Sequence, residues 1–472
     1  MPQLISHILA REFNLGASSI EFSDQWKNPS DVFSVLLILG GDVVARALAQ
    51  IAGSTVTPVA FSFGWVAYAV TAVVSAIGEN KLMPLPDSTC KVINGRTGYI
   101  RENCSWIIGR IMRDYESWMD ENDKKGPIHK RLECMIKKRW ESDKAEAEAK
   151  EPGSGKQVKK PTQTGLCVSI YLAGEAKPGY PGCDWTYYFG FATGVVQLVI
   201  AAIPCGVYGD WGILLVTACG TALSFAVGAL PQWKREKWAC RRKTDKTVVL
   251  TKGNGSQHAI VIVGDKNGLD LEDLATGPVT VDVSASSSTR VFVTVLAALW
   301  ILLLITAAGL HQNTWFLLAV GAIGMVQNIF VAGASRSPKD FGVPLRFETV
   351  IGSPKVMQTL FDVEAAYPRV GRSMLQTFFP GSLRSEEKAQ WERYEQIADQ
   401  LEEEKKQTKM NLESKCSCGG EDNLMSGGGE GSSPSVGLHC KIVLKVRHNA
   451  LNRFRLMLQG NSRTRIANPQ DI

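Results

Sequence analysis

Charged residues are almost missing from six long apolar segments of this 472-residue sequence. Each segment has roughly the 20 residues that a helix needs to cross a hydrocarbon core of about 30 Å. The chain contains 52 lysines and arginines, and only Arg46 lies inside these segments. The missing charge disfavours a soluble helical core and predicts membrane-spanning helices. The segments are Val32–Gly53, Val56–Ile77, Tyr187–Val207, Gly212–Leu230, Val291–Leu310 and Trp315–Gly333.

Common catalytic motifs are also missing. The sequence has no Walker loop, no His-Glu-x-x-His pair, no nucleophile elbow and no convincing carboxylate pair. Gly253–Gly255 lacks a third glycine, so it predicts a turn and not a dinucleotide loop. Cys416, Cys418, His439 and Cys440 are irregularly spaced around a Gly/Ser-rich stretch, which is atypical of a zinc site. We therefore expect no cofactor and no metal, and the missing motifs favour a non-enzymatic protein over an enzyme, with a membrane enzyme as the open alternative.

Disulfides and a removable leader are not indicated either. The eleven cysteines are scattered, and none lies in the short turns between paired segments. If the loops face a reducing cytosol, a disulfide framework is not implied. Residues 1–30 lack a charged start, a short apolar core and a small-residue cleavage site, so the first apolar segment is expected to act as an uncleaved signal.

The six segments form three pairs, and each pair is joined by a short polar turn. The turns are Ser54–Thr55, Tyr208–Trp211 and His311–Thr314, and none contains a lysine or arginine. Long apolar runs with such turns predict helical hairpins, because unpaired backbone is too costly in lipid. Basic residues instead flank the ends that face the long loops. The positive-inside rule therefore predicts that both termini and both long loops are cytosolic.

Four short runs in the loops have the pattern of strands. A Gly-rich turn after Lys252 predicts that the second and third form a hairpin. Isolated hairpins are marginal in water, so we expect the runs to assemble into one domain beneath the bundle. The runs are Leu166–Leu172, Thr247–Thr251, His258–Gly264 and Leu345–Ile351.

The predicted fold is mainly α. It is a six-helix transmembrane bundle of three helical hairpins, with a small cytosolic α+β domain assembled from the loops. A charged helix at 385–415 carries Trp391, Tyr394, Ile397 and Leu401 on one stripe. The predicted segments are 1–31, 32–77, 78–186, 187–230, 231–290, 291–333, 334–415 and 416–472, the last being a disordered linker and basic tail.

Several stretches together resemble a family of multi-pass integral membrane proteins from filamentous fungi. The similarity covers about residues 32 to 395, and it implies a membrane location and a fungal source. It supplies no catalytic residues. The stretches are Gly41–Gln50, Ala60–Ala69, Ala202–Gly206, Pro231–Cys240, Gln312–Leu317 and Tyr367–Ser373.

Asp42 and Arg46 are the most informative polar residues of the apolar segments. They lie four residues apart, so they share a helix face and can pair. A lone charge at the bilayer centre costs at least about 2.5–3.5 kcal/mol, so both are expected to face the bundle interior or a polar cavity. Either they form an ion or proton path or a head-group site, or they are an internal pair that fixes helix packing.

Gln197, Gln327 and Asn328 are the other polar candidates inside the segments. Amides in a membrane usually serve as hydrogen-bonding groups between helices, and the alternative is a role in transport. Pro204 is expected to bend the third segment.

A basic and aromatic run follows the fourth segment. Tryptophans anchor helices at the membrane interface, and each nearby basic side chain attracts anionic lipid by about 1 kcal/mol. Plain anchoring of the helix is the simpler interpretation. Cys240 is close enough to the membrane to be a candidate for palmitoylation. The lipid-interface candidates are Trp233, Lys234, Arg235, Lys237, Trp238, Arg241 and Arg242.

The leading hypothesis is a non-enzymatic membrane platform with a cytosolic interaction or regulatory domain. Its candidate partners are the lipid bilayer, anionic lipids at the cytosolic face, a protein bound through 385–415 and a second copy of the chain. Nucleic acid is not expected, because the basic residues gather at the ends of the apolar segments. The alternative is a small-solute or ion transporter or channel that uses Asp42 and Arg46.

Overall fold

The computed structural model describes residues 40–120, 123, 126–150, 158–176, 184–280, 283–310 and 312–417. The predicted N-terminal segment 1–31 and nearly all of the tail 416–472 lie outside these residues. The described chain is mainly helical with one large sheet. Helices form a bundle, and the sheet lies at one end of it with helices on both faces.

The helices, in chain order, are α1 (Gly41–Ile51), α2 (Gly64–Gly78), α3 (Trp106–Arg113), α4 (Tyr115–Trp118), α5 (Pro127–Lys150), α6 (Trp185–Tyr208), α7 (Gly212–Gly228), α8 (Pro231–Lys237), α9 (Leu271–Thr276), α10 (Ser287–Ala308), α11 (Thr314–Gly333), α12 (Val356–Ala366), α13 (Val370–Phe378) and α14 (Ser385–Ser417). The strands are β1 (Lys91–Asn94), β2 (Ile100–Glu102), β3 (Leu166–Ala173), β4 (Arg242–Thr244), β5 (Thr247–Thr251), β6 (His258–Val263), β7 (Gly268–Leu269) and β8 (Leu345–Ser353). Two 3₁₀ turns cover Gly277–Val279 and Pro338–Phe341.

The bundle consists of α1, α2, α6, α7, α10 and α11, which share one apolar core. Helices α6, α10 and α11 are each long and apolar enough to cross a membrane. Helix α7 joins them if it is counted together with α8, which follows it at a bend of 42°. The turns after α6 and α10 lie side by side, since Asn313 Nδ2 donates to Asp210 Oδ2 over 3.2 Å. These turns mark the end of the bundle that is opposite the sheet.

The first predicted pair differs from the other two. Residues 56–63 of the predicted second span are not helical, so the prediction of one continuous helix from Val56 to Ile77 is wrong. Helix α1 has 11 residues and α2 has 15, which is shorter than a span. The start of the predicted first span, before residue 40, lies outside the described residues.

The turn of this first pair also lies at the opposite end from the one predicted. Tyr187, in the first turn of α6, donates from Oη to the carbonyl oxygen of Val56 over 3.0 Å. This position is the sheet end of α6, whereas the other two turns are at the far end. The chain therefore leaves the sheet end after residue 56, enters the bundle, and returns to the sheet end through α2.

Local sequence explains why residues 52–63 are not helical. Pro58 has no N–H to donate, and it disfavours the helical conformation at Thr57. The β-branched residues around it favour extended backbone. At the inner tip of the segment Gly64 meets Gly40, and a Cβ on Gly40 would lie 2.4 Å from the Cα of Gly64. We call residues 52–63 the buried segment, because most of its side chains are enclosed by helices.

One six-stranded sheet combines three separate parts of the chain. Its strand order is β2-β1-β5-β6-β3-β8, and only β3 and β6 pair in parallel. Strands β1 to β3 precede α6, β5 and β6 follow α8, and β8 follows α11. All four predicted strands are present, and the predicted hairpin forms between β5 and β6. The short strands β1, β2, β4 and β7 were not predicted.

Helices cover both faces of this sheet. One face packs against α3, α4, α5 and α9, and the other packs against α12, α13 and α14. The apolar stripe of α14 predicted from the sequence is buried against its own domain. Its members Trp391 and Tyr394 both contact the ring of Phe361, with centroids at 4.8 and 5.9 Å. The stripe therefore holds α14 on the sheet.

Candidate functional site

Gln197 lies near the middle of α6 and is fully buried. Its Nε2 donates to the carbonyl oxygens of Phe61 over 2.7 Å and Val320 over 2.8 Å. Phe61 belongs to the buried segment, where no helix supplies a partner for its carbonyl. Because a backbone group in an apolar bundle needs a partner, Gln197 replaces the hydrogen bond that a helix would have made.

Gln327 and Asn328 of α11 contact the same part of the chain. Asn328 Nδ2 donates to the carbonyl oxygen of Ala60 over 3.2 Å and to Ser62 Oγ over 3.1 Å. Gln327 Oε1 accepts from the N–H of Ala60 over 3.3 Å. Thus the three amides predicted as candidates converge on residues 60–62. We call Gln197, Gln327 and Asn328 the mid-bundle cluster.

Each amide of the mid-bundle cluster keeps one atom without a hydrogen-bond partner in the described part of the chain. These atoms are Gln197 Oε1, Gln327 Nε2 and Asn328 Oδ1. The assignment of oxygen and nitrogen follows from the backbone groups that the other amide atom binds. A buried polar atom without a partner costs about 1–3 kcal/mol, so three in one place call for a physical explanation.

Asp42 and Arg46 form the predicted pair, with Arg46 Nε 2.9 Å from Asp42 Oδ2. Their side chains are 70% and 45% exposed, respectively, against the described residues. The expectation that they face the bundle interior is therefore wrong for this part of the chain. Asp42 lies in the first turn of α1, where a carboxylate is favoured by the helix dipole.

A second polar cluster lies where the bundle meets the sheet, and Lys237 is its centre. This lysine ends α8 and is buried at 2% exposure. Its Nζ donates to the carbonyl oxygens of Gln50 over 3.0 Å and Ala52 over 2.9 Å. Both carbonyls lie at the C-terminal end of α1, where backbone oxygens lack helical partners and the dipole favours a cation.

Arg336 approaches the same helix end from the residues after α11. Its Nη1 donates to the carbonyl oxygen of Gln50 over 2.7 Å. Its Nε and Nη2 bind the two carboxylate oxygens of Asp184 over 2.8 and 3.1 Å. Asp184 in turn caps α6 by accepting from the N–H of Tyr187. One buried guanidinium therefore links the ends of α1 and α11 to the start of α6.

Arg110 of α3 connects the sheet domain to the end of α11. It is fully buried, and its Nη2 donates to the carbonyl oxygen of Ala332 over 2.7 Å. The same nitrogen lies 3.3 Å from Asp87 Oδ2, and the guanidinium stacks over Trp106 at 4.5 Å. Burial lowers the pKa of Arg110 to about 10, even though Asp87 favours the charged form. It stays protonated at neutral pH.

We call Gln50, Arg110, Lys237 and Arg336 the junction cluster. Gln50 completes it, because its Nε2 donates to the carbonyl oxygen of Ala334 over 3.0 Å. Three buried basic side chains thus bind carbonyls at the C-terminal ends of α1 and α11, and burial holds the pKa of Lys237 well below its ordinary value. Hydrogen bonds to charged groups contribute about 1.5–3 kcal/mol each, so the cluster holds the sheet domain firmly on the bundle.

The sequence missed most of the junction cluster. Lys237 was predicted to lie at the lipid interface. Gln50, Arg110 and Arg336 were not candidates. Arg336 directly follows the last apolar segment, but such a position is equally typical of a residue that only anchors a helix.

The lipid-interface candidates divide into two groups. Trp233 and Trp238 are buried, and their indole N–H groups donate to the carbonyls of Val227 and Phe341. They and Lys237 are interior residues, so the prediction that they contact lipid is wrong. The other candidates have exposed side chains, and Arg241 among them pairs with Asp273. The exposed ones are Lys234, Arg235, Arg241 and Arg242.

Cys240 packs partly against the core of the sheet domain. Burial raises the pKa of its thiol to about 12, so the reactive thiolate is scarce at neutral pH. This environment does not favour palmitoylation. Among the described residues, no group of three or more His, Cys, Asp or Glu side chains could hold a metal ion.

An open cleft lies beside the edge strand β2. It has a volume of about 760 Å³, and Tyr99, Arg101, Lys246 and Glu272 are among its lining residues. Burial alone would raise the pKa of Glu272, but hydrogen bonds from Asn94, Lys246 and Arg101 outweigh it and lower the pKa. The cleft is therefore polar and its charges are already paired.

Comparison with protein-family models, with curated proteins and with solved structures found no match. The resemblance to a fungal membrane-protein family therefore stays a prediction. The candidate sites rest on the geometry above.

Proposed function

We propose that this chain is a multi-pass integral membrane protein that serves as a non-enzymatic platform, with a cytosolic sheet domain that binds a protein partner. The junction cluster carries this proposal. Its three buried basic side chains join the sheet domain to the ends of α1 and α11, so the domain is held in a fixed position on the bundle. A sheet domain that is built from three loops and held firmly on the bundle can present a fixed binding surface to a protein partner beside the membrane.

In the proposed topology, α6, α7, α10 and α11 cross the membrane, and α1, α2 and the buried segment enter from the sheet side. This replaces six full spans by four, with the remaining two helices of the bundle half-inserted. Non-helical backbone at membrane depth is tolerated where protein encloses it, which supports the arrangement. Lysines and arginines flank the sheet end, so we place the sheet domain in the cytosol.

Labelling of single cysteines in intact cells tests this topology. A cysteine at Asp210 is expected to react with a membrane-impermeant maleimide, whereas one at Asn254 in the β5–β6 turn is expected to be protected. The N-terminus and C-terminus are both proposed to be cytosolic, and epitope tags at each end test them separately. Reaction at Asn254 in sealed cells would reverse the orientation.

Photo-crosslinking tests the platform itself. A photoreactive residue would be placed at Tyr99 in the cleft, at Gln390 on the exposed face of α14, or at Val199 on the outer face of α6. We expect a discrete protein adduct from Tyr99 or Gln390 and only lipid adducts from Val199. Gln390 directly tests the predicted partner segment 385–415. Equal labelling at all three positions, or none at the first two, would count against a protein partner.

The exposed basic residues beside α8 are proposed to contact anionic lipid. Native mass spectrometry in mixed micelles should show anionic lipid retained by the wild type and less by Lys234→Gln combined with Arg242→Gln. The same spectra report whether the chain forms a homo-oligomer.

A transporter or channel is the second candidate, and the buried segment favours it. Transport proteins commonly place interrupted helices and polar groups at mid-membrane depth. In this chain the polar groups would be the mid-bundle cluster, since Asp42 and Arg46 do not line the interior of the described bundle. Flux assays in proteoliposomes test it: Asn328→Leu should reduce a specific flux, whereas Asp42→Asn should not.

A further inference from the structure

The three partnerless amide atoms of the mid-bundle cluster lie around three consecutive residues, 60–62. Asn328 and Gln327 both bind Ala60, and Gln197 binds Phe61, the next residue. Each of the three side chains is at most 1% exposed. They supply two free acceptors, Gln197 Oε1 and Asn328 Oδ1, and one free donor, Gln327 Nε2.

Backbone packing brings these amides close to the buried segment. Gly324 of α11 lets the two chains touch, since a Cβ there would lie 1.7 Å from the carbonyl oxygen of Phe61 and 2.6 Å from Gln197 Nε2. Trp65 Nε1 also donates to the carbonyl oxygen of Ala60 over 2.9 Å. The cluster is therefore a compact polar region enclosed by apolar helices.

Charge is missing from this region. Helices α2, α6, α7 and α11 and the buried segment contain no Asp, Glu, Lys or Arg. The acidic and basic residues of α1 are exposed outside the bundle. An ion would have no countercharge here, whereas an uncharged molecule that both donates and accepts hydrogen bonds matches two acceptors and one donor.

We infer that the mid-bundle cluster is a binding site for a small uncharged hydrogen-bonding molecule, with water as its simplest occupant. Buried water typically makes about three hydrogen bonds to polar groups that are otherwise unsatisfied, which equals the number of free amide atoms. A hydroxyl group of a small polar solute has the same chemistry. The inference requires the bundle but does not depend on the platform function.

Hydrogen–deuterium exchange of the full chain in lipid nanodiscs tests this site with D₂O as the probe. Amides of residues 61–64 should exchange on the order of tenfold faster than those in the middle of α10, because water is already beside them. Protection equal to that of α10 would overturn the inference. This result would not decide whether solutes are transported, which the flux assay measures separately.

Gln327→Met separates a bound molecule from a purely structural role of the amide. The substitution keeps the side-chain length and removes both the free donor and the Oε1 that accepts from the Ala60 N–H, so exchange is read at residues 61–64 and not at Ala60. If the site holds water, exchange at residues 61–64 should slow, since an apolar side chain lowers its occupancy. If the amide only holds the segment in place, the loosened segment should exchange faster, and that sign would contradict the inference.

Thr306→Val is the matched control. Thr306 is exposed on α10, and its Oγ1 bonds only within its own helix, to the carbonyl of Leu302. This variant should leave exchange at residues 61–64 unchanged. If Gln327→Met does not fold, Gln197→Met removes the free acceptor of α6 together with the Nε2 that binds the carbonyls of Phe61 and Val320, and it should give the same slower exchange at residues 61–64. A faster exchange in either folded variant would overturn the site.

Discussion

Lys237 of the junction cluster and Gln197 of the mid-bundle cluster each donate to two backbone carbonyl oxygens, at distances of 2.7 to 3.0 Å. One donor is an amine and the other is an amide. Lys237 lies between the bundle and the sheet, where the C-terminus of α1 favours a cation. Burial and the neighbouring Arg336 and Arg110 oppose this and hold the pKa of the Lys237 amine well below its ordinary value. Gln197 lies among apolar helices, where a charge would cost far more than an amide.

This difference shows how one chain can satisfy non-helical backbone in two environments. At the junction, basic side chains bind the last carbonyls of α1 and α11, and Asp184 and Asp87 pair with two of them. In mid-bundle, uncharged amides bind the backbone groups. Five substitutions test the comparison, and each is measured as the free energy of unfolding in detergent micelles titrated with sodium dodecyl sulfate.

Arg336→Met should have the largest effect, a loss of about 3–5 kcal/mol, because it leaves the carboxylate of Asp184 without its partner at a buried interface. Arg346→Met, at an exposed position of β8, is the matched control and should change stability by less than about 0.5 kcal/mol. Similar losses in the two variants would show that the junction cluster does not hold the domains together.

Gln197→Lys exchanges the neutral donor for a charged one. We expect a loss of at least about 2.5–3.5 kcal/mol, the cost of a charged side chain at mid-membrane depth. The reciprocal Lys237→Gln should lose less, about 0.5–1.5 kcal/mol, which is the net contribution of a typical hydrogen bond, because burial already disfavours the charge on Lys237. If both exchanges cost the same, the environments of the two clusters do not differ as described.

Gly324→Ala tests the close contact that the mid-bundle cluster needs. Its Cβ would lie 1.7 Å from the carbonyl oxygen of Phe61, so α11 or the buried segment must move. We expect a loss of about 1–3 kcal/mol from this overpacking. Gly333→Ala, where nothing lies within 4 Å of the added Cβ, is the control. A neutral Gly324→Ala variant would argue against the position of the buried segment.

Asp42→Asn should have the smallest effect, below about 0.5 kcal/mol, because exposed pairs four residues apart on a helix contribute little. Solute flux and expression should both stay at wild-type levels. A large loss of stability would mean that residues outside the described chain cover this pair. A specific loss of flux would restore it as a transport site.

Much of the fold follows from local pattern. Hydrophobic length predicted α6, α10 and α11, and alternation with turn residues predicted β3, β5, β6 and β8. The apolar stripe on α14 was also visible in the sequence, and its members Trp391 and Tyr394 are buried against the sheet domain. Short strands such as β1 were not predicted, because four residues show too little alternation for a strand to be recognised.

The first pair shows where such patterns fail. Val56–Ile77 is as apolar as the helices that are long enough to cross a membrane. Pro58 was the clearest local signal against a continuous helix there. An apolar run indicates that a segment is buried. It does not indicate whether neighbouring segments can supply hydrogen bonds to its backbone groups. Gln197 and Asn328 stabilise the non-helical path by donating to its carbonyl oxygens, and they come from distant parts of the sequence.

The sequence by itself determined that this chain has helices apolar enough for a membrane. It also determined that basic residues flank the same ends of the apolar segments, and that the loops contain short strands that must pair with one another. Tertiary structure alone decided that α2 and the buried segment enter and leave at the same end, and that Lys237, Arg110 and Arg336 turn inward. The physical reason is that a hydrogen bond depends on where two distant groups meet, whereas hydrophobicity belongs to each residue wherever it lies.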